Sequence, residues 1–290
     1  MKTINNNTLK KRIGFVILSF AIILIMFPAM AQKNNKIDYL SLKKLPTGLI
    51  LEEKNPLSYE VITDYYNHDI LGNFLNKMQV KGIYTRGLDS GKVKWNDVTI
   101  SKYAGEDQPF PEGAKQDYME NFTYRATDNL LMADVFKDFP ATTGIFAKNL
   151  VWDVLTFEVF AWTYYDSLKL NVPYTAQKIN GAIELAGMGT FENKNIQLTW
   201  TGNSMMNNRP CAVIEFLAMD NPINFKTDFM EMKGRSHYWG TIWLSLTDKQ
   251  IEYGILHEDV NMEMKMSGQE KSQLLNTTRK IDFIKLKENL

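Results

Sequence analysis

The sequence predicts an α+β protein: a curved, half-barrel-like antiparallel sheet with helices packed on one face, the concave one. Three observations carry this. Short runs of β-branched and aromatic residues stand before and after a helical middle, so the order is few strands, helices, many strands. The middle holds a segment, about 142–168, too apolar to be covered by a sheet on one side only. The stretch "RSHYWGTIWLSLTDKQIEYGILHEDVNMEMKM", residues 235–266, has an apolar row that changes parity part-way, which a regular hairpin does not allow.

The chain opens with a basic patch (Lys10, Lys11, Arg12), the apolar run "GFVILSFAIILIMF" and then "PAMAQ". Ala29 and Ala31 occupy the small-residue positions of a cleavage site. Residues 1–31 are therefore predicted to be a signal peptide, and the product to be exported, periplasmic or secreted. Cleavage removes four basic residues and no acids from a chain with 33 of each, leaving a net charge of about −4. Such a chain has no electrostatic attraction for nucleic acid or an anionic membrane. The only cysteine, Cys211, cannot form an internal disulfide and reads as a buried, inert thiol.

Residues 32–54, rich in Lys and Asn, are predicted to be a loose leader, and 55–290 a single domain. "NPLSYEVITDYYNHDILGNFLNKM" fits a helix in part through Val61, Tyr65, Ile70 and Phe74. "VKGIYTRG", "GKVKWND" and "VTISKY" read as strands, and "AGEDQPFPEGAKQD" as a loop. "ATDNLLMADVFKDF" reads as a helix capped at Thr127 or Asp128 and ending before Pro140. In 142–168 the polar residues Asn149, Asp153, Thr156, Thr163 and Ser167 form one narrow helical stripe, and the rest is Trp, Phe, Val, Leu and Tyr. Asp153 and Glu158 make this segment a poor membrane span, so no span is expected after signal cleavage. "AIELAGMGTF", "IQLTW", "CAVIEFLAM" and "TRKIDFIKLK" read as strands, with "TGNSMMNNRP" a loop and "DNPINF" a turn.

In the 235–266 ribbon, Tyr238, Ile242, Leu244 and Leu246 share one face, and His237, Trp239, Thr241, Trp243 and Ser245 the other. After the turn at Asp248 and Lys249, Ile251, Tyr253 and Ile255 give way to Leu256, Val260, Met262, Met264 and Met266, of opposite parity. A β-bulge near Ile255–Leu256 would restore both faces, leaving the methionines in the core and Asp259 across from Trp239.

These residues could support several chemistries. His237, His257 and Asp259 could supply three zinc ligands, although strand alternation also produces such rows. Met230, Met232, Met262, Met264 and Met266 could bind Cu(I) through thioethers, although Met is also an ordinary core filler. Buried Asp153 and Glu158 lie five apart and so on different helix faces, which suits tertiary pairing better than acid–base work. The sequence has no G-x-S-x-G, no phosphate-binding Gly-rich loop and no basic aromatic strip. No cofactor and no catalytic residue is expected.

The ribbon "SHYWGTIWLSLTDKQIEYGILHEDVNMEM" and the apolar helix "LVWDVLTFEVFAWTYY" resemble those of periplasmic lipoprotein-carrier and related lipid-binding proteins, and of secreted β-rich proteins of Gram-negative bacteria. The resemblance implies a sheet wrapped around helices and an apolar ligand such as a lipid. The ligand is then expected between sheet and helix, with Trp152, Phe157, Phe160, Trp239 and Trp243 as candidate contacts. Three readings follow: a carrier of an apolar ligand, a secreted hydrolase or metalloenzyme using His237, His257 and Asp259, and an envelope structural or interaction protein.

Overall fold

The computed structural model describes residues 37–51 and 55–287. The expected signal peptide lies outside the described residues, as do parts of the expected leader. Within the leader, Tyr39–Ser41 forms a single 3₁₀ turn, Leu45 is buried, and Leu42 O accepts a hydrogen bond from Asn203 Nδ2 at 3.1 Å.

The strands are β1 (Leu57–Asp69), β2 (Phe74–Leu88), β3 (Lys92–Tyr103), β4 (Ala114–Lys115), β5 (Phe122–Arg125), β6 (Tyr174–Thr175), β7 (Gly181–Glu184), β8 (Gly189–Asn193), β9 (Gln197–Met206), β10 (Arg209–Lys226), β11 (Met230–Ser245), β12 (Ile251–Met266) and β13 (Gln273–Lys285). They form one antiparallel sheet in the order β4-β3-β2-β1-β13-β12-β11-β10-β8-β7. β5 also pairs with β3, β9 with β10, and β6 with β9. The first and last long strands are neighbours, so the middle of the sheet joins the two ends of the described chain.

This overturns the α+β expectation. The protein is mostly β, and among the described residues there is one α-helix, α1 (Gly144–Trp162). Two stretches read as helical are not. In 57–65 the residues alternate strictly between buried and half-buried, from Leu57 through Tyr59, Val61 and Thr63 to Tyr65, which is the period of a strand. "ATDNLLMADVFKDF" forms turns and a four-residue 3₁₀ segment, Ala133–Phe136. Asp128 receives the backbone N–H of Arg125 rather than capping a helix. The apolar helix itself is shorter than expected and stops at Trp162.

One punctuation signal turns out to be a bulge, and the expected bulge lies elsewhere. The "DNP" at 220–222 does not end β10. Asp220 adopts φ +58°, pairing with β11 slips between Ala218 and Asn221, and the strand continues. Asn221, fully buried, stabilises the slip through Nδ2 to Ala218 O and Ser236 O and through Oδ1 to Lys194 N. In the β11–β12 hairpin the bulge lies at Glu252, between the pairs Trp243–Tyr253 and Leu244–Ile251. It is not at Ile255–Leu256, where pairing is unbroken. His237 therefore faces Asp259, Trp239 faces His257, and Tyr253 and Ile255 lie on the outer face.

The inner face is built in rungs that cross the sheet. One rung runs Gly82, Val61, Phe283, Gly254, Ile242, Ile214. Here α1 lies against the sheet: Phe157 stacks on Phe283 at 5.5 Å and Phe160 packs on Phe216 at 5.1 Å. Gly254 makes this possible, since a Cβ there would lie 2.7 Å from Phe157 Cε1. Tyr59 also stacks on Phe283, at 4.3 Å. At the same end Glu158 pairs with Arg86 at 2.7 Å and accepts from Tyr84 at 2.8 Å, and Trp162 donates to Lys249 O.

Candidate functional site

The strands outrun the helix. Nineteen helical residues span about 28 Å, while the sixteen residues of β11 or β12 span about 53 Å. Beyond the helix, no helical layer among the described residues covers the inner face of the sheet. A cavity of about 910 Å³ occupies this space, within the roughly 300–1,000 Å³ of small-molecule sites. Its walls come from Lys102 and Tyr103 of β3 at one side and Ile183 of β7 at the other, strands near opposite ends of the sheet order, so the sheet curls around it.

The floor of the cavity is a charged rung: Met78, Tyr65, Arg279, Glu258, Tyr238, Ala218. Arg279 reaches both ways, with Nη2 2.5 Å from Asp153 Oδ2 on α1 and Nη1 2.5 Å from Glu258 Oε2 on β12. Ser236 Oγ donates to Glu258 at 2.5 Å, Thr63 Oγ1 to Asp153 at 3.5 Å, and Asn149 to Tyr65 OH at 3.3 Å. The Arg279 guanidinium also lies over the Tyr65 ring. Two buried carboxylates share one guanidinium. Burial pushes the Asp153 carboxyl up to about 6, against the lowering effect of Arg279 and with a further rise from Glu258.

Toward the strand ends the rungs become apolar. One carries Leu275, Met262, Gly234, Ile223 and Phe191, and the next Gln273, Met264, Met232 and Phe225. Of the methionines expected in the core, Met262, Met264 and Met266 are half-buried, and Met262 and Met264 line the cavity instead. On the helix side Ile145, Phe146, Trp152 and Leu155 face them, together with the polar stripe Asn149, Asp153 and Thr156.

Of the five residues expected as ligand contacts, Trp152 lines the cavity. Its indole N–H donates to Leu130 O at 2.9 Å, which holds segment 126–139 against α1. Phe157 and Phe160 lie below the floor in packed core, fully or almost fully buried. Trp239 and Trp243 are on the outer face: Trp239 stacks on His257, and Trp243 donates to Ser204 Oγ at 3.0 Å and packs on Tyr253. His237, His257 and Asp259 share that outer face. His237 Nδ1 accepts from Asp220 N, and Asp259 is hydrogen-bonded by Asn276. Among the described residues no three His, Cys, Asp or Glu side chains are grouped to hold a metal. Burial pushes the Cys211 thiol up to about 12, far from a nucleophile's range. Arg279 and Glu258 carry a signal in the sequence, since each breaks an apolar row of its own strand.

Fold and cavity together define a mostly-β protein whose single curled sheet holds one helix at its base and an apolar cavity beyond it. Among solved structures, one of lipovitellin concerned with lipid–protein interactions matches with a TM-score of 0.41 and 9% identity, over 82% of this chain and 25% of that one. The present chain thus spans about a quarter of the length of that relative. A DUF1329 family protein from Desulfovibrio piger matches with a TM-score of 0.16 and 7% identity, over 82% of this chain and 89% of that one. Both likenesses are weak. No family model matches the chain, and no curated protein matches it in sequence. Among the described residues no helix is long and apolar enough to cross a membrane.

Proposed function

We propose that this protein is a non-enzymatic carrier or binding protein for an apolar, lipid-like molecule, acting after export. The observation that carries this reading is the apolar wall above the charged rung, where Ile223, Phe225, Met232, Met262, Met264 and Leu275 face about 910 Å³ of space. A wall of this kind left to water costs roughly 25 cal/mol per Å² of apolar surface, and a hydrocarbon ligand recovers that cost. Methionine suits the task because its unbranched thioether adapts to chains of different shape. The charged rung limits how deep an apolar chain can go, since its ion pairs join sheet to helix and the packed aromatic core lies beyond. Export rests on the basic patch, apolar run and Ala-x-Ala of residues 1–31.

Native mass spectrometry of the exported protein tests this. The expected spectrum carries an added organic mass that solvent extraction removes and that partitions into an apolar phase. A bare polypeptide mass, unchanged after incubation with acyl-chain ligands, contradicts the reading.

A further inference from the structure

The cavity extends to the end of the strands where β1 meets β2, β12 meets β13 and β3 ends, with Leu75, Asn76, Tyr103 and Gln273 among its lining. These strand ends are unusually apolar. Leu71 is 83% exposed, Ile70 55% and Leu274 54%, and Leu75 and Tyr103 are exposed as well. Leu75 and Tyr103 also line the cavity, so the exposed rim and the apolar wall are continuous. The Ile70–Leu71 tip is held in place by its own turn. Asp69 Oδ1 accepts from Leu71 N and Asn73 N, both at 2.9 Å, Asp69 Oδ2 accepts from Asn73 Nδ2 at 2.7 Å, and Gly72 adopts φ +84°. A turn fixed this firmly keeps its two aliphatic side chains from folding back onto the protein. Exposed apolar patches of this kind mark interaction sites.

We propose that this rim docks on the surface of a lipid bilayer, with Leu71, Ile70 and Leu274 inserted among the acyl chains. The exposed aliphatic side chains sit at or beside the hairpin turns at the strand ends, Leu71 exposed by 83%, and side chains exposed to this degree suit a soft, deformable phase better than the shaped pocket of a folded partner. The charges beside them are mixed, with Lys102 and Lys271 against Asp69 and Glu270. Attachment is therefore apolar rather than a matter of headgroup charge. The contact brings the cavity mouth to the membrane, the phase in which an apolar ligand resides. That purpose rests on the carrier reading; the contact itself does not.

The test is co-flotation of the full chain with phosphatidylcholine vesicles at low and high salt, alongside Leu71→Asp, Leu274→Asp and Trp239→Asp. Trp239 is an exposed aromatic on the outer face, away from the rim. The wild type and Trp239→Asp should float equally at both salt concentrations. Leu71→Asp should lower the bound fraction about tenfold, as expected for losing one inserted aliphatic side chain, with unchanged thermal unfolding. A wild type that does not float overturns the proposal. So does flotation that Leu71→Asp and Leu274→Asp leave intact, which would assign attachment to another segment such as the apolar run 14–27. Solvent extraction of the same samples separates the two claims. An apolar ligand in a protein that does not float contradicts the rim and supports the cavity, whereas rim-dependent flotation without ligand does the reverse.

Discussion

Arg279 on β13 lies 2.5 Å from Asp153 on α1, and at that contact the packed core ends and the cavity begins. On one side Phe157, Phe160, Phe216 and Phe283 fill the space between helix and sheet. On the other, the same strands continue with methionines facing open volume.

The position of Asp153 predicts a pH dependence. Its folded-state value of about 6 lies above the ordinary 3.8. Above that range the folded protein bears the full cost of an ionised, buried carboxylate. As pH falls through about 6, the folded state takes up a proton that the unfolded chain does not yet hold, so the contribution of Asp153 to stability rises until pH approaches 4. Wild type should therefore gain stability relative to Asp153→Asn by about 1 kcal/mol between pH 7 and pH 5, with the gain continuing down to about pH 4. Urea unfolding of both proteins across this range measures it. A constant difference would mean that Asp153 stays ionised throughout.

Gly254 should tolerate no side chain. A methyl group there meets the ring of Phe157, which is itself held between sheet and helix, so neither neighbour can give way freely. Gly254→Ala should cost about 1–3 kcal/mol. An unchanged melting temperature would show that the helix sits less closely on β12 than described.

Core and cavity wall should respond differently to the same chemical insult. Phe157→Asp places an unpaired charge in a fully buried site and should cost about 4 kcal/mol or more. Met264→Asp places it on a half-buried wall facing the cavity, where stability should fall by about 1 kcal/mol or less. Equal losses in thermal unfolding would mean that the methionine row is core after all.

Much of the fold is written in residue alternation, and the errors arose where a second signal competed with it. From Leu57 to Tyr65 every second residue is buried, yet apolar residues at helical spacing in the same stretch suggested a helix. Pro222 and Asp220 look like a turn but mark a bulge, because Asn221 satisfies the backbone that the slip leaves unpaired. The apolar helix was legible, and so was its polar stripe. The charged rung was legible too: Arg279 shares the parity of Ile281 and Phe283, and Glu258 that of Leu256 and Val260. What local pattern did not reveal is the cavity. It follows from a helix of about 28 Å lying against strands of about 53 Å, a difference seen only once both ends of each element are known. Trp239 and Trp243 illustrate a related limit of local pattern. Both are apolar but sit on the outer face, and no row pattern distinguishes an outer aromatic from a ligand contact.

Displacement of an apolar fluorescent dye tests the central claim most directly. The wild type should bind the dye in the cavity and release it to an acyl-chain competitor. Met264→Asp should weaken binding about tenfold by placing a charge on the wall, and Trp239→Asp on the outer face should not. Dye that binds equally well to Met264→Asp, or that no acyl-chain ligand displaces, would contradict an apolar ligand site above the Arg279 rung.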